Sequence, residues 1–388
     1  MDRVARAANK ARGIAHASRQ VHAPTAGDER GRAVRVAVGD PQAPLETVLA
    51  VLDAHGLLSD DGTIRADVAL YSMGDHFDWG GAAEAERAGA DGLALLAWLA
   101  SHPVDQVHLV LGNHDLARVG ELAGFDDATF REARALAVRA YTDGDEAREH
   151  ELLARFPALP TAETAARDFA SFTVAQRELV TLLLRARRFR IAFATASDVV
   201  LTHAGITASD VAPLGAPSDA PGIARALNGR LDEALARWTG GPLAIPALHS
   251  YGSAARGEGG GIFYHRPTSR PIPVSSREHS ALGRRFDPRT IPRGVTQVIG
   301  HIGDEKCRDL MPEWSHGAAE DGVLRTFVTD GVHARYARGA SACEGGPDCA
   351  RILFTDGTMR RARIGAKSGD AGAYEILDLD TMTPFVPR

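Results

Sequence analysis

Asp40 and Gln42, Asp75 and Asp78, Asn113-His114-Asp115, His203 and His301 are the residues of this 388-residue chain whose types and placement suit metal chemistry. Together they offer carboxylate and amide oxygens and imidazole nitrogens, donors that divalent cations accept. Gly39, Gly74, Gly112 and Gly300 directly precede four of these groups. A glycine there lets the chain turn sharply and come close to a site. One Gly-Asp pair alone is usually a turn, and one buried histidine is usually a satisfied core residue. Five such groups in sequence, each closing a short apolar run, are explained most economically by a metal site.

The elements that must hold them follow from the apolar runs. Segments 34–38, 68–73, 107–111, 199–202 and 295–299 are short and mostly aliphatic, which predicts five strands. Leu45, Val48, Leu49 and Leu52 recur at helical spacing and Gly56 closes them; 93–99 also reads as helix. Strand, acidic turn and helix in succession predict β-α units. In open α/β sheets, ligands collect in the crevice at the carboxyl ends of the strands. All five groups fall at such ends.

Taken in order, Gly39-Asp40-x-Gln42, Gly74-Asp75-x-x-Asp78, Gly112-Asn113-His114-Asp115, His203-Ala204-Gly205 and Gly300-His301 resemble the motifs of calcineurin-like metallophosphoesterases. The single histidines at the fourth and fifth strands resemble the phosphoprotein phosphatase branch most. The resemblance implies an α/β fold, a four-layer α/β/β/α sandwich of two mixed sheets with a helical insertion. It implies phosphoester hydrolysis by a hydroxide bridging two divalent metal ions. Asp40, Gln42 and Asp75 would hold one ion; Asp75, Asn113, His203 and His301 would hold the other. His114 would protonate the leaving oxygen and Asp78 would orient it.

Two residues depart from the family pattern. Gln42 stands where the family usually has histidine, and an amide oxygen is the harder ligand, which tilts the first site toward Mn or Mg over Zn; of the two divalent ions implied, Mn is favoured, with Fe, Mg, Co, Ni or Zn as alternatives. Trp79 stands where the branch carries a phosphate-gripping arginine. Gly261-Ile262-Phe263-Tyr264-His265-Arg266 resembles a segment that supplies an anion-binding arginine in bacterial members, which nominates Arg266. Arg118 and Arg256 are the secondary candidates.

The implied activity is a phosphomonoesterase resembling Ser/Thr protein phosphatases, acting on a phosphorylated small molecule or a phosphoprotein. The alternatives are a phosphodiesterase or nucleotide pyrophosphohydrolase, and a catalytically weakened homologue that binds a phosphorylated ligand.

Composition narrows the partners. A formal net charge of −6 supplies no basic surface for nucleic acid or an anionic membrane. No apolar run approaches the ~20 residues that cross a bilayer. Three cysteines exclude a disulfide scaffold, and the five residues between Cys343 and Cys349 do not match a zinc knuckle. A cytoplasmic location is expected.

Residues 1–32, Arg-rich and without a continuous apolar stretch, are expected to form a flexible tail. Residues 33–388 are expected to be the metallophosphoesterase domain. It would include a helical cap-like insertion at 116–196, packed by Phe125, Phe130, Phe169, Phe172 and Phe189. A Pro/Gly-rich loop region at 212–294, with ten of the twenty prolines, is expected to rim the crevice. Segments 323–329, 351–355 and 374–379 are expected as strands of a second sheet. Asp330-Gly331 and Asp356-Gly357 read as turns, the latter of the hairpin type.

Overall fold

The structure is a computed structural model describing residues 2–17, 33–272, 282–339, 349–363 and 373–387. It opens with α1 (Arg3–Ala17), β1 (Val34–Val38), α2 (Leu45–Ala54), β2 (Val68–Ser72), α3 (Ala85–Ala100), β3 (Val107–Val110) and the short α4 (Asn113–Ala117). Three helices follow, α5 (Asp127–Asp143), α6 (Glu146–Arg155) and α7 (Val174–Arg185), then β4 (Phe189–Arg190), β5 (Ala192–Ala194) and β6 (Val199–Thr202). Next come α8 (Ala208–Val211), α9 (Ala220–Arg237), β7 (His249–Ser250), β8 (Gly260–Gly261), β9 (Arg266–Pro267) and β10 (Arg285–Phe286). The chain finishes with β11 (Thr296–Ile299), α10 (Asp304–Leu310), β12 (Arg325–Thr329), β13 (Ala334–Arg338), β14 (Ala350–Phe354), β15 (Leu377–Asp378) and β16 (Thr383–Pro384).

Two six-stranded mixed sheets result, ordered β16-β15-β1-β2-β3-β4 and β13-β12-β14-β11-β6-β5. Strands β1 to β4 run parallel, as do β6, β11 and β14, so their carboxyl ends lie side by side. Ala37, Ala69, Tyr71, Met73 and Val110 of the first sheet share one buried cluster with Val199, Leu201, Val298 and Leu353 of the second. The sheets therefore pack face to face. Leu49, Leu95 and Leu183 of α2, α3 and α7 bury against the first sheet, and Cys307 and Leu310 of α10 against the second. Each such leucine contributes about 1.5–3 kcal/mol when fully buried. Strand β2 is buried at all five positions, which is why it reads as a continuous apolar run and not as an alternation.

Several expectations are corrected. Residues 3–17 do not form a flexible tail: they make α1, whose Ala7, Ala8 and Ala11 bury against the core beside α2 and α3. Alanines supply the fully buried positions, with Val4 and Ile14 packed beside them, and such a small apolar face is a weak signal in sequence. The rest of the expected tail, 18–32, lies outside the described residues. In the 116–196 insertion, Phe125, Phe130, Phe169 and Phe172 share a separate core, but Phe189 belongs to β4 and the main core. The 212–294 region contains α9. Asp219 accepts from Gly222 N at its start, and Ile223, Leu227 and Leu231 bury along one face. Proline at the first turn does not stop a helix, because the missing N–H has no helical partner there. Residues 273–281 of that region lie outside the described residues.

Strand β15, from the segment expected in the second sheet, instead pairs antiparallel with β1 in the first. Asp330-Gly331 joins the β12–β13 hairpin. Asp356-Gly357 does not form a hairpin, because β15, the next strand described, pairs with β1 in the other sheet and not with β14. No helix among the described residues is long and apolar enough to cross a membrane. Cys349 is disulfide-bonded and Cys307 is a free, buried thiol.

Candidate metal centre

The loops leaving β1, β2, β3, β6 and β11 carry Asp40, Asp75, Asn113, His203 and His301 to one place. One ligand atom each from Asp75, His203 and His301 lie within 4.8 Å of one another. His203 Nε2 lies 2.9 Å from Asn113 Oδ1, 3.1 Å from His301 Nδ1 and 3.4 Å from Asp75 Oδ1. A carbonyl only accepts, so the 2.8 Å contact with Met73 O places a proton on His203 Nδ1. His203 Nε2 therefore faces an amide oxygen, a carboxylate and a second imidazole. Such a gathering of acceptors needs a shared proton or a cation at its centre.

Asp40 flanks this group. Its Oδ2 accepts from His301 N at 2.9 Å, while its Oδ1 and His301 Nε2 are buried without hydrogen-bond partners. A buried polar atom left unpaired costs about 1–3 kcal/mol. Carboxylates, amide oxygens and imidazoles are also the donor set of divalent Mn, Fe, Co and Zn, so these residues fit metal ions. Gln42 Nε2 donates to Phe77 O at 3.1 Å, which fixes the amide. Gln42 lines a cleft of ≈ 290 Å³ with Asp40, Asp78, Trp79, His114 and Asp356.

The local backbone is shaped for this convergence. Asp75, Asp78 and His301 all hold left-handed conformations, with φ of 57, 66 and 67°. Each costs on the order of 1–3 kcal/mol and needs surrounding support. Asp115 provides some of it: its carboxylate accepts from Asp75 N at 3.1 Å, Gly112 N at 3.0 Å and His76 N at 3.2 Å. A methyl group at Gly300 would sit 2.0 Å from Asp40 Oδ1, so any larger residue there would displace that carboxylate.

Charges follow the packing. Burial, with Asp356 and Asp75 nearby, holds the Asp40 carboxyl well above its ordinary range. Burial also opposes the charge on Asp75, but His203 and His114 outweigh it and its pKa falls. Burial, then Arg266 and His203, push His301 well below the usual imidazole value, which keeps a lone pair available for a cation.

Beside the donors lies a second constellation. His114 Nδ1 is 2.9 Å from Asp78 Oδ2, and its Nε2 is 3.7 Å from Asp75 Oδ2. Burial works against a charged His114, but Asp75 and Asp78 prevail and raise its pKa. Asp78 is itself buried, yet Arg118 and His114 carry it down to about 2. Arg118 donates to Asp78 at 2.6 Å, and Ser171 donates through its backbone N and its Oγ at 3.0 and 2.6 Å. Phe169 sets its ring edge against His114, with centroids 5.0 Å apart. Ser171 and Phe169 come from the 116–196 insertion, which therefore helps hold the His114–Asp78 pair.

The arginine candidates separate. Arg118 is fully buried and committed to Asp78, Ser171 and Gln176, which corrects its nomination as an anion ligand. Removing it would leave Asp78 buried without its cation. Arg118→Ala is expected to cost about 3–5 kcal/mol, read from urea unfolding of the variant and parent. Arg256 is exposed over Tyr251 and lines neither crevice, so its nomination is also corrected. Arg266 lines a cavity of ≈ 430 Å³ with Asn113, His114 and His301. No side-chain hydrogen bond or ion pair holds Arg266 among the described residues.

Arg284 and Arg285 line the same cavity, and no motif signalled them. Glu163, Arg167 and Asp168 from the insertion form part of its wall, as do Glu258 and Gly259 from the glycine-rich segment. Asp356, read from sequence as a turn residue, stands in the cleft with Asp40 and Gln42. Trp79 lies in that cleft too, with the Arg87 guanidinium 5.3 Å from its ring centroid. A scan against protein-family models finds no match to the chain, and no curated protein matches it.

Proposed function

We propose that this chain is a dinuclear metal-dependent phosphoester hydrolase, with phosphomonoesters as its preferred substrates. The observation that carries the reading is the His114–Asp78 pair set beside a buried convergence of Asp75, His203 and His301. With it goes the finer assignment of the two-sheet fold as a metallophosphoesterase sandwich. Asp40, Gln42 and Asp75 would hold one cation, and Asp75, Asn113, His203 and His301 the other. Bound cations supply Lewis-acid polarisation of the phosphate and acidify water enough to attack near neutral pH.

The chain's own residues do the rest. Arg266 offers a guanidinium to the phosphate oxygens, a contact that favours bidentate geometry. His114 donates the proton from Nε2 to the departing oxygen, while Asp78 keeps the ring oriented through Nδ1. A protein that only binds a phosphorylated ligand has no need of such a proton donor, so the pair favours turnover over a catalytically weakened binder. The net charge of −6 gives no support to a nucleic-acid substrate.

The test is hydrolysis of aryl phosphate monoesters and diesters after chelation and reloading with Mn, Mg, Fe, Co, Ni or Zn. Chelated protein is expected to be inactive, Mn or Mg to restore it better than Zn because Gln42 offers an oxygen in place of an imidazole, and the monoester to be turned over faster. Turnover that survives exhaustive chelation overturns the proposal. A diester preference would replace monoester chemistry with the phosphodiesterase reading.

A further inference from the structure

We propose that Asp356 completes an all-oxygen cation site with Asp40 and Gln42, selective for a hard dication such as Mn²⁺ or Mg²⁺ and distinct from the imidazole pocket of His203 and His301. This inference rests on the dinuclear reading above. The two halves of the centre would then differ in chemistry. One offers carboxylates and an amide oxygen, and the other is built on nitrogen.

Several independent packing contacts bring Asp356 to this position. Strand β14 pairs parallel with β11 in the register Ile299↔Phe354, so residues 301 and 356 leave their strands at the same level. Thr355 N donates to Ile299 O at 2.8 Å, which extends that pairing to the residue before Asp356. On the other side, the backbone of Gly39 lies against Thr355: a methyl group at Gly39 would sit 2.0 Å from Thr355 O. Asp40 follows Gly39 and Asp356 follows Thr355, so this contact sets the two acids side by side.

The buried Arg325 guanidinium joins the loops, donating from Nη2 to Ile302 O at 3.1 Å and to Asp356 O. Tyr374 Oη donates to Thr355 O at 3.0 Å, securing the same loop from behind.

The side chains agree with this placement. Asp356 Oδ1 accepts from Thr358 N at 2.9 Å, which leaves Oδ2 as the oxygen without a partner among the described residues. Gln42 donates its amide nitrogen to Phe77 O, so its oxygen is the atom left for a ligand. Acidic neighbours alone would not mark a site. The independent sign is Asp40 Oδ1, an oxygen of a side chain only 3% exposed that has no hydrogen-bond partner. A cation held between these oxygens would satisfy it and offset the repulsion of the two acids. Oxygen-only donor sets suit hard cations, whereas imidazole suits Zn and its neighbours.

Manganese binding to the full chain tests this. Parent and Asp356→Asn are chelated, titrated with Mn²⁺ and analysed for bound metal, with melting temperature confirming that both are folded. The parent is expected to take two equivalents. In Asp356→Asn one equivalent should weaken by roughly 10–100-fold while the other is unchanged. Unchanged binding of both equivalents overturns the assignment of Asp356, as does equal weakening of both in a folded variant. A parent that binds no Mn²⁺ overturns the dinuclear reading itself, and this inference with it.

If Asp356→Asn does not fold, the parent loaded with one Zn²⁺ and one Mn²⁺ decides by pulsed electron paramagnetic resonance. No directly bound nitrogen on Mn²⁺ supports the all-oxygen site, and strong imidazole coupling overturns it.

Discussion

Asp75→Asn is expected to reduce metal-dependent turnover by about 10³-fold or more, the equivalent of losing about 4 kcal/mol of transition-state stabilisation. Asp75 links the histidines of the metal centre to the proton donor His114. Its Oδ1 accepts from His114 N at 2.9 Å and lies 3.4 Å from His203 Nε2, and its Oδ2 lies 3.7 Å from His114 Nε2. Asparagine keeps the shape and one acceptor, so the left-handed turn and its support from Asp115 should survive. The negative charge is lost, and with it the carboxylate that both cations would share. The measurements are kcat/KM on an aryl phosphate and metal content after gel filtration, with thermal unfolding as the check on structure. A folded variant that keeps both metal and rate would remove Asp75 from the centre.

The second large effect concerns His114. His114→Asn is expected to lower kcat by about 10²–10⁴-fold on an alkyl phosphate, the usual worth of a positioned proton donor. On a p-nitrophenyl ester the loss should be much smaller, because that leaving group departs without a proton. The split is the diagnostic feature, since general damage to the centre would slow both substrates alike. A protein that only binds phosphorylated ligands would give a third pattern, with no turnover in either form and equal affinity in both. In the proposed role His114 would act in its charged form, and its pKa is raised. The parent rate on the alkyl ester should therefore fall as pH rises through that value, and the variant should lack this limb.

Parts of the site differ in how plainly sequence announces them. Asp40, Asp75, Asn113, His203 and His301 are legible because each ends a short aliphatic run, and a strand that ends abruptly in a polar group is a local signal. Asp356 follows an equally good run, yet Asp-Gly after a strand reads the same whether it turns a hairpin or enters a cleft. What separates the cases is where the chain goes next, since β15 pairs with β1 in the other sheet, while the pairing of β14 with β11 brings the loop to the cleft. Arg118 shows the converse. An arginine one helical turn after His114 is a reasonable phosphate ligand on paper, but Asp78, 40 positions earlier, captures it beneath the site. Helix α1 gives a weak signal because its fully buried positions are alanines, and α9 because Pro221 in its first turn and the prolines around it suggest loop where a helical apolar face exists.

The kinds of donor, their order along the chain and the β-α grammar that puts them at strand ends were determined by sequence alone, since all of these depend on neighbouring residues. Which donors share a cavity was decided only by tertiary structure. His301 N meets Asp40 across 261 positions, and Ser171 meets Asp78 across 93. Such contacts exist only once two sheets stack and their loops settle against one another. The stacking energy comes from burying apolar side chains whose types say little about which polar loop will lie beside which.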